Sequence, residues 1–401
     1  MSTATPPVSG KLFGLFCLAS YLLSLSYGST FLLSLLIGSR GGNEHDAGSV
    51  ISAAMLSTFV AVIFSGHLCD LLGAARSVAL FGVLLVAASL GFALTPGFGH
   101  LLLFFGLLLG MGWGVFYTLG PIIVASLVSP AQRAKYFALL SGSMMTGIGS
   151  GPLLGRAASA LGYPVTAAFY LAAAASLIGV LLFWRLDRQL KIASTQSTAV
   201  SRISWQAASQ VLKSRAVFPI IMVGLGGCVF GGLSSFQTSY AAARSLDYSL
   251  FFLGFMSAAI SSRMLIAGIV VKRDPLRASC LLSGLMMGSI LMFGFGVDGG
   301  FSYVLAAVML GVGYGLTYSV INGLAANEAP SGTTAQSLLL FSLSYFIGVF
   351  GFPLLAGKII VEHGMATLLL TVLAVAALNW SITLGRLIWC RVKTDRTLQH
   401  A

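Results

Sequence analysis

From Leu12 to Trp389 the chain alternates long apolar runs with short polar or Gly/Pro breaks. Crossing the roughly 30 Å hydrocarbon layer of a bilayer takes about 20 mostly apolar residues in helical form, and run after run meets that length. The breaks predict transmembrane segments 1 to 6 near residues 12–36, 47–68, 75–95, 99–127, 132–156 and 164–185. Segments 7 to 12 follow near 216–241, 248–271, 278–297, 302–326, 334–357 and 365–388. The run from Leu12 to Ile37, although it follows Lys11, is too long for the apolar region of a signal peptide and is followed by further spans, so it is read as segment 1. Between the two sets, Asp187 to Arg215 is the longest polar stretch. Within it Ile203, Trp205, Ala208 and Leu212 would line one side of a short helix, either lying on the membrane face or belonging to a solvated linker.

The second set repeats the first at an offset of 201 residues. Gly110, Gly112, Trp113, Gly114 and Tyr117 of segment 4 fall onto Gly311, Gly313, Tyr314, Gly315 and Tyr318 of segment 10. The same offset carries Gly147, Pro152, Leu153 and Leu154 onto Gly348, Pro353, Leu354 and Leu355. Chance glycines would not keep one register over two helices. The expected fold is therefore an all-α membrane protein of twelve helices in two pseudo-symmetric six-helix bundles: residues 1–190, a linker 191–214 and residues 215–401. Parallel repeats of this kind rock about a central site.

Composition agrees: 57% of residues are hydrophobic and 8% charged, against about 25% charged in soluble domains. The net charge of +12 does not point to nucleic acid, because the cations form no basic face on a soluble domain. They alternate between loops. Lys11, Arg76, Arg133, Lys135, the run from Arg185 to Arg215, Lys272, Arg273, Arg277 and Arg386 to Arg396 fall on one side, while Arg40, Arg156, Arg244 and Lys358 fall on the other. By the positive-inside rule both termini are expected to be cytoplasmic. The five cysteines are scattered without a CxxC pair, so neither a disulfide nor a metal site is expected.

After segment 2, Gly66, Leu68, Asp70 and Gly73 stand at the spacing GxLxDrxGrk, with Leu71, Ala74 and Ala75 at the usual basic positions and Arg76 one place late. This loop resembles the signature of the major facilitator superfamily, in which the acid latches the cytoplasmic side closed. The equivalent loop of the second half keeps Gly268, Arg273 and Arg277 but has Lys272 in place of the acid and Pro275 in place of the glycine. In segment 5, Gly147, Gly151, Pro152 and Gly155 resemble the GxxxGPxxGG signature that marks antiporters and exporters within that superfamily, with Arg156 replacing the last glycine. Gly106 stands where proton-coupled exporters usually carry an arginine in helix 4. The resemblance implies gating roles for Asp70, Gly73, Arg76, Gly147, Gly151, Pro152 and Gly155.

It also implies that segments 1, 4, 7 and 10 line a central cavity. Polar and aromatic residues recur there at helical spacing: Ser20, Ser24 and Tyr27; Trp113 and Tyr117; Phe230, Ser234 and Gln237; Tyr314, Tyr318 and Asn322. Residues four apart share a helix face, and aromatics with a hydroxyl or indole donor suit an amphipathic organic ligand. Each could equally pack helix against helix. Arg263 is the one charge placed well inside a predicted segment; a buried membrane arginine is functional by default, and snorkelling toward the loop is its alternative. The substrate-binding candidates are Ser24, Tyr27, Trp113, Tyr117, Gln237, Arg263, Tyr314, Tyr318 and Asn322.

The expectation is a monomeric secondary transporter of the inner membrane that exports a small organic metabolite or drug with an anionic or zwitterionic group. Coupling to protons or another ion is expected at a helix end, at Asp46, Asp70 or Asp247, because no carboxylate falls mid-segment. No cofactor is expected. An importer or facilitated diffuser is the rival within transport. A membrane-embedded enzyme lacks support, since the five histidines are scattered among loops and helix ends, and a receptor or scaffold would usually show an added soluble domain.

Overall fold

The computed structural model describes residues 9–97, 99–129, 132–193, 204–265 and 274–399, with side chains through residue 390 except that of Ala134. Ile203, Gly268, Lys272 and Arg273 lie outside these residues. Among the described residues every regular element is helical, as hydrocarbon requires of a chain that must satisfy its own backbone groups.

Segment 1 is α1 (Gly10–Ser29) and α2 (Leu33–Gly38), joined by a 3-10 turn at Thr30–Leu32. Segments 2 to 6 are α3 (Glu44–Leu72), α4 (Ala74–Leu94), α5 (His100–Leu127), α6 (Arg133–Ala160) and α7 (Thr166–Ala193). The linker carries α8 (Trp205–Leu212). Segment 7 is α9 (Val217–Ser235) and α10 (Gln237–Ala242), followed by α11 (Ser249–Leu265), α12 (Pro275–Phe295), α13 (Gly300–Asn327) and α14 (Thr334–Phe346). A π turn at Ile347–Gly351 leads into α15 (Phe352–Gln399).

Among the described residues ten helices are long and apolar enough to cross a membrane. The longest, Thr334–Cys390, is broken at Gly364, whose φ of +84° ends one helix and starts the next. Glycine suits that angle because it has no Cβ to clash. Of the twelve expected segments, eleven therefore contain a helical stretch of at least 18 described residues, and the eighth is matched over Ser249–Leu265.

The chain divides into two compact units: Met1–Arg202 with Ser235–Ser239 and Pro353–Lys358, and Ile203–Ser234 with Tyr240–Phe352 and Ile359–Ala401. In the first, α3 lies along α5, α4 along α5 and α7, and α1 along α6 and α7. Helices α1 and α6 meet backbone to backbone. A Cβ on Gly28 would strike the Ile148 carbonyl, one on Gly147 the Tyr21 carbonyl, and one on Gly151 the backbone of Gly28. Such small residues replace the hydrophobic driving force that lipid does not supply between helices. In the second unit α11 and α12 lie along α13, and α14 packs on α13 and α8. There Gly348 meets the backbone of Gly224, Gly227 and Cys228 on α9. The adjoining π turn precedes Pro353, which has no N–H to donate to a regular turn.

Hydroxyls line the interior and bond back to their own helices. Ser20 donates to the Phe16 carbonyl at 2.9 Å and Ser24 to the Ser20 carbonyl at 2.7 Å. Leu56, Phe64, Leu94, Leu181, Phe295 and Phe301 are each more than half exposed. A soluble protein does not present so many large apolar side chains outward; lipid is the solvent that accepts them.

Candidate functional site

In the first unit the predicted aromatic residues come together across α1 and α5. The Tyr27 ring stacks on Trp113 at 4.7 Å, Trp113 leans on Tyr117 at 6.1 Å, and Phe31 closes on Tyr27 at 5.5 Å. Tyr27 and Trp113 are 4% and 2% exposed, so they pack helix to helix, whereas Tyr117 is half-buried. Ser24 is fully buried. Gln237, at the start of α10, is also buried; beside it Thr238 shares a 2.6 Å hydrogen bond with Ser34, and Ser239 donates to Glu44 at 2.9 Å.

The second unit repeats the stacked pair with different rings. Phe230 of α9 lies on Tyr314 of α13 at 5.1 Å and 15°, and Phe255 stacks on the same Phe230 at 5.3 Å. Tyr314 is buried, while Tyr318 and Asn322 on the same helix are half-buried. Arg263, near the end of α11, reaches α13 rather than its own loop. Its Nε donates to the Gly315 carbonyl at 2.9 Å, and its guanidinium lies 5.1 Å from the Tyr318 ring centre. Tyr345 meets Tyr318 edge-on at 5.5 Å. A half-buried guanidinium held against an aromatic face and among phenols forms a positively charged, donor-rich patch.

At the turn between α3 and α4, Gly73 takes a φ of +84° and donates its N–H to the Cys69 carbonyl at 2.9 Å. Asp70 lies in the last turn of α3 and is exposed. One ion pair at this turn joins Arg76 to Asp187 of α7, Nη2 to Oδ2 at 3.2 Å, and Lys191 reaches the same oxygen at 3.0 Å. Sequence reading places Asp187 in a polar stretch; it stands instead inside a helix that runs two turns past Arg185 to Ala193. The continuing apolar positions Phe183, Leu186 and Leu190, all buried, were the signal. In the second half, Asp274 caps α12 by accepting from the amides of Leu276 and Arg277 at 3.1 Å each, with Pro275 at its first position, and pairs with Arg277 at 2.9 Å.

Gly106 faces α3, where an added Cβ would strike the Val50 carbonyl. Gly155 similarly packs on Leu32. Three residues outside the predicted set are notable. Tyr345 completes the ring around Tyr318, and Glu328 at the end of α13 pairs with Arg386 of α15. Asn379 of α15 is fully buried, adjoins Gly226 as Tyr314 does, and has no hydrogen-bond partner for either amide atom among the described residues. A single polar residue in an apolar run carries a sequence signal, but nothing in that run says which way it faces.

Comparison with curated proteins finds no match. Among solved structures, the chain is similar to a peptide transporter of the POT type in complex with sulfate, at TM-score 0.73 and 18% identity over 97% of this chain and 96% of that one. It is also similar to the human organic anion transporter MFSD10, at 0.68 and 15% over 94% and 100%. The E. coli fucose:proton symporter FucP follows at 0.64 and 14% over 93% and 98%. At such identities these likenesses speak to the fold. The sequence model of the Major Facilitator Superfamily matches residues 13–353. With the repeat, the helical bundles and that match in hand, the chain belongs to the major facilitator superfamily and is a multi-pass membrane transporter.

Proposed function

We propose that this transporter exports a small organic molecule bearing an anionic or zwitterionic group, by alternating access between its two halves. The observation that carries the reading is Arg263, held by the Gly315 carbonyl and the Tyr318 face while still half-buried. Tyr117, Tyr318 and Asn322, also half-buried, are the neutral groups best placed to meet a ligand. Ser24, Tyr27, Trp113, Gln237 and Tyr314, all buried, complete the proposed set. The neighbours named for an organic anion and for bound sulfate share the fold alone, so the argument for an anion rests on Arg263. The moving parts are residues 1–190 and 215–401 with the linker 191–214 between them. The reading places the protein in the inner membrane as a monomer with both termini cytoplasmic, which is the side the basic loops favour.

Export is favoured by the Gly147, Gly151, Pro152 and Gly155 pattern, whose glycines pack α6 on α1 and on Leu32 of the 3-10 turn that follows it. Uptake or facilitated diffusion is the second reading. It draws on Gly106, where close approach to α3 leaves no room for the arginine usual in proton-coupled exporters. Binding of one acidic compound and its neutral ester to wild type, Arg263→Lys and Arg263→Ala tests the site. Guanidinium grips a carboxylate through two parallel bonds and ammonium as a point charge. Acid binding should therefore fall stepwise, by about tenfold or more in the Ala variant, with the ester little changed. Equal losses for both ligands, with lowered thermal stability, would make Arg263 a helix tie only. Accumulation of the compound in everted compared with right-side-out vesicles decides the direction.

A further inference from the structure

Helix α8 buries Ala208 and Val211, and Val211 shares a core cluster with Ala216, Ile220, Met222, Ile321, Ala325 and Phe341 of the second unit. It leaves Trp205 86% and Leu212 50% exposed. Immediately after it come the exposed cations Lys213 and Arg215, and the Arg215 guanidinium lies 5.0 Å from the ring centre of Trp389 on α15. Ile388 and Trp389 are themselves more than half exposed. Large apolar side chains and two cations thus share one edge of this unit.

Among the described residues the two cations of this edge, Lys213 and Arg215, meet no acid. Arg386, one turn away, is already paired with Glu328 and lies over Phe218. The sequence holds no Asp or Glu between Asp187 and Asp247 or between Glu362 and Asp395, and Arg391 and Lys393 follow Trp389. Depth agrees with this picture. From Gly364 to Trp389 the helix rises about 37 Å at 1.5 Å per residue, just past a hydrocarbon layer of roughly 30 Å, at the level where aromatic rings meet headgroups.

We propose that Lys213 and Arg215 hold the phosphate of an anionic phospholipid whose acyl chain lies along Leu212, Ile388 and Trp389. Arginine offers a phosphate a two-bond fork, lysine adds a point charge, and the exposed apolar surface accepts the chain. The lipid would tie the linker helix to the end of α15.

The test is lipid retention by the full chain in detergent, read by native mass spectrometry with phosphatidylglycerol and phosphatidylcholine in competition. Wild type should keep phosphatidylglycerol preferentially, and Lys213→Gln/Arg215→Gln should lose that preference by about tenfold. The unfolding temperature in phosphatidylcholine should not change. Arg185→Gln/Arg188→Gln, an exposed basic pair elsewhere, should keep the preference. No preference in wild type, or an equal loss in both double variants, would overturn the site. Displacement of the lipid by inorganic phosphate at equal concentration would instead identify a soluble-anion site and overturn the lipid assignment.

Discussion

Arg76, in the first turn of α4, reaches across to Asp187 near the end of α7, so the turn after α3 is fastened to the sixth membrane segment of its own half. The carboxylate is 6% exposed and the guanidinium 50%. Lys191 shares the accepting oxygen, and the other oxygen, Oδ1, is buried without a partner among the described residues. Removing the acid leaves two cations together, while removing either cation leaves the acid one partner. Asp187→Asn should therefore destabilise more than Arg76→Gln or Lys191→Gln, by about 1–3 kcal/mol, in thermal unfolding in one detergent. Equal effects from all three would mean that the pair is screened by solvent.

Asp70→Asn should behave differently. The side chain is exposed, so the melting temperature should stay within a degree or two while transport slows and accessibility at the loop between α3 and α4 rises. Wild-type rates with unchanged accessibility would make Asp70 a plain turn residue.

Proton coupling can be separated from folding at the two other acids. Asp46 exchanges bonds with Asn43 at 2.9 and 3.1 Å in a capping box, and Asp247 accepts from the amide and hydroxyl of Ser249 at 2.9 and 2.7 Å. The amide oxygen of Asn can accept the bonds these carboxylates accept, so Asp46→Asn and Asp247→Asn keep the bonds and delete the charge. If protons drive transport, one of these or Asp70→Asn should abolish uphill movement. Uphill movement surviving in all three excludes this set.

The glycine contacts predict a contrast within α1. Gly28→Ala should cost about 1–3 kcal/mol, because its new methyl meets the Ile148 carbonyl and backbone yields less readily than a side chain. Gly14→Ala, with nothing within 4 Å, should gain about 0.5–1 kcal/mol from helix propensity. Unfolding midpoints check both. Similar values for the two would refute close packing of α1 on α6.

For Asn379, replacing an unpaired buried amide by an apolar residue of similar size should stabilise the fold. Asn379→Leu is expected to raise the unfolding temperature and, if the amide serves transport beside Tyr314, to lower the rate. A lower unfolding temperature would show that the amide is satisfied by internal water.

Much of this is legible in the sequence because it is periodic. Segment positions follow from apolar run length, and Gly147 and Gly151 announce close packing through their spacing alone. The site is less legible. Helical spacing puts Tyr314 and Tyr318 on one face, yet Tyr314 is spent on Phe230 while Tyr318 turns to Arg263 and Tyr345. Which ring faces a neighbour and which faces open space depends on contacts between residues tens of positions apart. Asp187 is missed for a local reason: the charges around it mask a helical pattern that continues.

The two halves also share the register of their close contacts. An added Cβ on Gly110 would strike the carbonyl of Ala54, and on Gly311 that of Phe255; Gly112 faces the Phe81 carbonyl, and Gly313 that of Leu282. Each of these partners is displaced by the same 201 positions as the glycine it faces. The ion pairs do not follow. Arg277, the counterpart of Arg76, pairs with Asp274, the counterpart of Asp187 is Ile388, and that of Glu328 is Leu127. A glycine facing a carbonyl has no substitute, whereas a charge can be re-sited wherever a partner arises. In this molecule the two halves share a steric register, while these ion pairs belong to one half or the other.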